Sequence, residues 1–228
     1  MKKVGITKFD KKMNKFKTIF KEDFWKKYAL ILGITVGGFL LRIFHLGKES
    51  LWVDEGFSYR LAKLSLPGYI DNVLHTLRNI LPPLYFQILH FWTMIFGTSE
   101  FSLRFPSLIF GTLSIFGIYL FGKKLFNREV GTISALLLAV SLFHIQYSQE
   151  ARMYEMLSFL SLLAFYLLVK FVDDNKWSSA LQLTILNTAL IYTHYYGFFI
   201  VFAEYFYVAL IFLFRKKYFT DSFKKWFL

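Results

Sequence analysis

The chain has 228 residues, of which 56% are hydrophobic and 18% charged, with 29 Phe and no Cys. So apolar a balance excludes an ordinary soluble domain, and the missing thiols exclude a disulfide framework, a thiolate metal site and a catalytic cysteine. The net charge of +12 is split between a basic tail and short loops, a positive-inside pattern rather than the single basic face of a nucleic-acid binder.

Residues 1–27 carry Lys2, Lys3, Lys8, Lys11, Lys12 and five further lysines without the short apolar core of a secretory signal, and read as a cytosolic tail. Residues 28–228 then read as one transmembrane module. Apolar runs cover 28–46, 105–122, 130–147, 154–171, 177–193 and 198–214, each close to the ~20 residues a spanning helix needs. About six spans are expected. With the tail inside, Lys123, Lys124 and Arg128, then Lys170 and Lys176, then Arg215, Lys216 and Lys217 all fall inside if residues 47–104 form one external segment.

Within that segment, Phe57, Leu61 and Leu64, then Tyr69, Ile70, Val73, Leu74 and Leu77, recur at helical spacing with a break expected at Pro67-Gly68. The run 83–96 is apolar but short, and contains Gln87 and His90. Counting it as a span would reverse every later charge cluster, so it is expected as a helix in the outer interface. The expected fold is an all-α polytopic membrane bundle with membrane-hugging helices in the first external loop.

This topology places Asp54, Glu55, Glu150 and Arg152 on the external face. Acids beside a bilayer are costly to keep and are functional candidates by default. Asp54 is either a helix cap or a base that takes a proton from a hydroxyl nucleophile. Glu150 and Arg152 are either a loop ion pair or part of an anion site, since the planar fork of Arg152 suits phosphate. Asp54, Glu55 and Glu150 also offer oxygen ligands for a divalent cation such as Mg or Mn, although no spacing is diagnostic. Arg104 reads as a boundary anchor before a phosphate ligand. His45, His75, His90, His144 and His194 are scattered singly, without zinc spacing. No Walker loop, dinucleotide fingerprint or serine nucleophile elbow is present.

The order Leu51-Trp52-Val53-Asp54-Glu55-Gly56, Pro82-Pro83-Leu84-Tyr85-Phe86, Phe96-Gly97-Thr98-Ser99-Glu100-Phe101-Ser102-Leu103-Arg104-Phe105-Pro106-Ser107, Tyr147-Ser148-Gln149-Glu150-Ala151-Arg152-Met153-Tyr154 and Thr193-His194-Tyr195-Tyr196-Gly197 resembles a GT-C glycosyltransferase. The branch it is similar to is glycosyltransferase family 39, which includes protein O-mannosyltransferases and aminoarabinose transferases acting on lipid A. The resemblance implies transfer of a sugar from a polyprenyl-phosphate carrier to a protein, lipid or polysaccharide acceptor outside the cell membrane. It implies Asp54 as catalytic base with Glu55 as its partner. The carrier phosphate would lie by Arg152, Gln149, Glu150 and Tyr154, with Tyr85, Arg104 and His194 as further candidates. Ile80-Leu81 stand before the Pro-Pro pair where many relatives carry a polar residue. The family usually has eleven or more spans, so the chain is expected to be its N-terminal portion. Two other classes compete: a transporter or flippase, disfavoured because no internal repeat is visible, and a non-catalytic truncated relative.

Overall fold

The computed structural model describes residues 22–76, 81–174 and 176–214. Among them the secondary structure is helical throughout: α1 (Glu22–Ile43), α2 (Val53–Ala62), α3 (Leu66–Thr76), α4 (Leu84–Phe96), α5 (Glu100–Leu125), α6 (Arg128–Ala139), α7 (Leu142–Ser148), α8 (Tyr154–Asp174), α9 (Trp177–Thr193) and α10 (Tyr196–Phe214). Most of the expected basic tail lies outside the described residues.

Among the described residues two helices, α5 and α8, are long and apolar enough to cross a membrane, and α6 with α7 makes a third candidate bent by 63°. The expected six spans are thus met in full by two. The apolar part of α1 stops at Ile43, shorter apolar stretches occupy Leu84–Phe96 and Tyr196–Ile211, and α9 carries Thr184, Asn187 and Thr188 along its length. α5 is the central element and packs against α1, α4, α6, α7 and α8. Its buried residues serve two cores, one with Tyr85, Phe86, Leu89, Met153 and Leu190 around Leu103, the other with Ile31 and Ala135 around Ile115 and Tyr119.

Several polar side chains in this apolar bundle are paired with freed backbone groups. Pro106 inside α5 cannot donate to the carbonyl four residues back, and that carbonyl, Ser102 O, accepts instead from Trp92 Nε1 at 2.9 Å. The break at Val140-Ser141 exposes the last carbonyls of α6. Arg42, fully buried at the end of α1, reaches them: Nη2 donates to Leu138 O at 3.1 Å and Nη1 to Ala139 O at 3.0 Å. Its other N–H groups go to Gly38 O, Ser148 Oγ and His144 Nδ1. All five donors of this guanidinium are used.

The external segment differs from expectation in two respects. The chain breaks at residues 63–65, and Pro67 lies in the first turn of α3, where its missing N–H costs nothing. α4 is also no mere surface helix, because Tyr85, Phe86 and Leu89 are fully buried against α2, α5 and α9. Its polar residues explain themselves there: His90 Nδ1 lies 2.7 Å from Ala62 O and Gln87 Nε2 donates to Leu64 O, which satisfies carbonyls at the end of α2. Of the residues expected in this segment, Leu77 and Ile80 fall outside the described positions.

α5 and α6 meet backbone to backbone at Gly122 and Gly131. A Cβ on Gly131 would lie 2.6 Å from the Tyr119 carbonyl oxygen and 2.8 Å from Lys123 N, and neither backbone atom can rotate away. Gly131→Ala is therefore expected to destabilise the bundle by ~1–3 kcal/mol, seen as a lower thermal midpoint in detergent. An unchanged midpoint would mean that α6 shifts freely on α5.

Candidate active site

Glu55 opens the third position of α2 and turns inward, fully buried. Its Oε1 accepts from Arg104 Nε at 2.8 Å and from the Ala151 amide at 2.8 Å. Its Oε2 accepts from Arg104 Nη2 at 2.7 Å and from the Trp52 amide at 3.3 Å, the latter half of a capping box. A carboxylate offers about four lone-pair positions, and all four are taken. Arg104 is matched in turn: beyond Glu55, it donates to the Leu46, Glu49 and Ser50 carbonyls. This pair fastens α5 to the start of α2, to the end of the α1–α2 connection and to the turn before α8.

Asp54, one residue earlier, points elsewhere. Its side chain is 46% exposed, and Oδ2 stands 3.8 Å from Arg152 Nη2. The Arg152 side chain is 8% exposed, yet its bonding is loose. Nη1 donates to Asp54 O at 3.1 Å and to Ser58 Oγ at 3.5 Å, Nη2 reaches Tyr154 Oη at 3.4 Å, and Nε is buried with no hydrogen-bond partner. The guanidinium also sits 5.5 Å from the Tyr154 ring centroid. The backbone of this turn is held far more tightly. Ser107 Oγ donates to the Arg152 carbonyl at 2.9 Å, and buried Tyr85 Oη lies 2.7 Å from Ser107 Oγ. Because the Ser107 proton is committed to the carbonyl, Tyr85 donates to Ser107. Tyr85 therefore acts on the site through Ser107, a residue that belongs to the Phe96–Ser107 stretch but to which the sequence alone assigns no role of its own.

His194 joins the same side of the site. It terminates α9, is buried, and packs 5.9 Å from the Tyr154 ring. Its Nδ1 accepts from the Tyr196 amide at 3.1 Å, which leaves the ring proton on Nε2. Burial, and then the nearby Arg152 cation, lower its pKa, so the imidazole is neutral at physiological pH.

Gln149 and Glu150 lie across the Glu55–Ala151 contact. Gln149 Nε2 donates to both Arg42 O at 2.9 Å and Phe44 O at 2.8 Å, so it clips the end of α1. Glu150 lines a cleft of ≈ 340 Å³ with Trp52, Glu55, Arg104, Gln146 and Gln149. Burial, and then the Glu55 charge, raise its pKa. Among the described residues there is no group of three His, Cys, Asp or Glu side chains placed to hold a metal ion, so Asp54 and Glu150 are not gathered with a third ligand. The turn thus brings together Asp54, Arg152, Tyr154 and His194 on one side and Glu150, Gln149 and Trp52 on the other, with Glu55 and Arg104 as the wall between.

The sequence profile of the dolichyl-phosphate-mannose-protein mannosyltransferase family matches residues 81–227. This stretch includes Tyr85, Arg104, the 149–154 turn and His194, while Asp54 and Glu55 precede it. No curated protein matches the chain. A chain that is helical throughout its described residues, with helices long and apolar enough to cross a membrane, and matched over well more than half its length, belongs to the dolichyl-phosphate-mannose-protein mannosyltransferase family and is a membrane glycosyltransferase of the GT-C type.

Proposed function

We propose that the chain moves a sugar from a polyprenyl-phosphate carrier to a hydroxyl of a protein, lipid or polysaccharide acceptor at the external face of the cell membrane. Residues 28–228 serve as the transmembrane transferase module and the basic residues 1–27 face the cytosol. The acceptor oxygen attacks the anomeric carbon, the bond from that carbon to the phosphate oxygen breaks, and its electron pair leaves with the carrier phosphate. Asp54 takes the acceptor proton. Arg152 meets the charge that develops on the departing phosphate.

One observation carries this reading. Arg42 and Arg104 use all five N–H groups on protein acceptors, whereas Arg152 keeps Nε unpaired and stands 3.8 Å from the half-exposed Asp54. Of these three cations, Arg152 alone has donor capacity left for an anion. Tyr154 lies beside its guanidinium and His194 packs on the Tyr154 ring, so the arginine has polar, aromatic neighbours of the kind that suit a phosphoglycolipid head. Glu55 has a different task in this scheme: it holds the Ala151 amide, and so the turn, and has no free lone pair for a proton. Membership of a glycosyltransferase family favours this scheme over a transporter, which would instead show carrier-independent flux in vesicles.

The test is transfer of labelled sugar from a polyprenyl-phosphate donor to membrane acceptors in proteoliposomes. Asp54→Asn is expected to lower kcat by ~10²–10⁴-fold while the thermal midpoint stays at the wild-type value. Wild-type turnover by that variant would remove Asp54 as the base. Arg152→Lys keeps the charge but loses the planar fork, and should raise the KM for donor about tenfold or more; an unchanged KM would place the phosphate elsewhere.

Glu55→Gln is expected to act on stability first. Breaking one side of a buried pair costs ~3–5 kcal/mol, so its thermal midpoint should fall well below that of Asp54→Asn. If Glu55→Gln proved as stable as wild type yet inactive, Glu55 rather than Asp54 would be the chemical residue.

A further inference from the structure

A second buried polar group lies on the inner side of the 149–152 turn. Arg42 Nη2 stands 3.0 Å from His144 Nδ1. A guanidinium has only donors, so Nδ1 must supply a lone pair and the imidazole proton must sit on Nε2. That nitrogen lies 3.1 Å from Glu155 Oε2, out of line for a hydrogen bond, and neither atom has a hydrogen-bond partner. Arg42, His144 and Glu155 are all buried. Arg42 also donates to Ser148 Oγ at 3.1 Å, while Ser148 donates to His144 O at 2.6 Å. α5 closes over the group at Gly111, where a Cβ would collide with Ser148 Oγ and lie 3.1 Å from Glu155 Oε2.

The position of these residues along the chain gives the group its meaning. His144 and Ser148 precede the 149–152 turn and Glu155 follows it, while Gln149 is bonded to the Arg42 carbonyl. The turn that presents Arg152 is therefore bracketed on both sides by one chain of buried polar contacts: guanidinium to Nδ1 in a hydrogen bond, and Nε2 to the Glu155 carboxyl at 3.1 Å.

We propose that Arg42, His144 and Glu155 form a buried clasp in which a neutral His144, protonated on Nε2, stands between Arg42 and Glu155 and thereby positions the Gln149–Arg152 turn. These are positioning residues; none of them touches the reacting groups. The clasp as such stands on geometry, and its consequence for sugar transfer rests on the function proposed above.

Two readouts on the full chain in nanodiscs test it without an activity assay. Nitrogen-15 spectra of histidine-labelled protein, with the His144 signals identified by their loss in His144→Gln, should show a neutral ring with Nε2 protonated and Nδ1 bare. A proton on Nδ1, or an imidazolium, would overturn the clasp. Amide hydrogen exchange of the 149–153 peptide should quicken about tenfold or more in His144→Phe, which can neither accept from Arg42 nor offer an N–H to Glu155. His144→Gln supplies one acceptor and one donor, and should keep wild-type protection. Wild-type protection in a folded His144→Phe, or equal loss in both variants, would show that the turn does not depend on the clasp. Where wild type transfers sugar, His144→Phe should raise the donor KM more than it changes expression or thermal midpoint, and the reverse pattern would reduce the clasp to packing. Absence of transfer by wild type would count against the proposed function and would leave both spectroscopic and exchange outcomes decisive for the clasp.

Discussion

The Glu55–Arg104 pair sets the terms for everything around it. Two opposite charges taken out of water gain nothing overall unless the rest of their hydrogen-bonding capacity is met. Here it is met: Glu55 receives four N–H groups and Arg104 gives five. Those bonds run to the connection after α1, the first turn of α2, the interior of α5 and the turn before α8. Four segments far apart in sequence become one polar node, and the Ala151 amide held by that node lies beside the residue that bears the candidate phosphate-binding fork.

The node also explains how two consecutive acids come to differ. Successive residues on a helix are about 100° apart, so if one side chain of the Asp54-Glu55 pair points at Arg104, the other must look away. Glu55 is consumed inside, and Asp54 is left half-exposed against a loosely bonded Arg152. The positive end of α2 favours a carboxylate in either role. Burial and partner count separate them: the saturated acid builds the site and the unsaturated one is available to it.

Much of the helical order was legible in the sequence. The start of α8 at Tyr154, the whole of α9 and the apolar stretches of α5 and α10 follow the hydrophobic runs, because a membrane segment is recognised by composition alone. Asp54 and Arg152 stood out as charges beside those runs, and they do face each other. What stayed hidden depended on long-range partners. Arg104 looked like a boundary anchor because its acid lies 49 residues earlier, and Arg42 was lost inside an apolar run because the carbonyls it serves belong to α6. The break in the third run had a local signal, since Ser141 caps α7 through the His144 amide, but a continuous apolar composition outweighs one serine in any hydropathy reading. The packing of α4 against its neighbours stayed hidden for the complementary reason: Gln87 and His90 look too polar for a core, and only the end of α2 gives them carbonyls to bind.

The three buried arginines obey one rule to different degrees. In a low-dielectric interior every N–H must find an acceptor, and irregular backbone is the richest source of unclaimed carbonyls. Arg42 uses the broken end of α6 and Arg104 uses the non-helical connection between α1 and α2. Arg152 faces the first turn of α2 instead, where the carbonyls are committed to the helix; it gains Asp54 O, which Ser58 also shares, and Nε goes without. A buried donor left unpaired costs ~1–3 kcal/mol. An acceptor oxygen brought within reach of Nε recovers that cost, and the guanidinium charge favours an anionic one. The turn is anchored through Ala151 N, the Arg152 carbonyl and Gln149, so the side chain cannot relieve the shortage by moving its backbone. The shortage is held in place at an arginine that stands opposite the half-exposed Asp54.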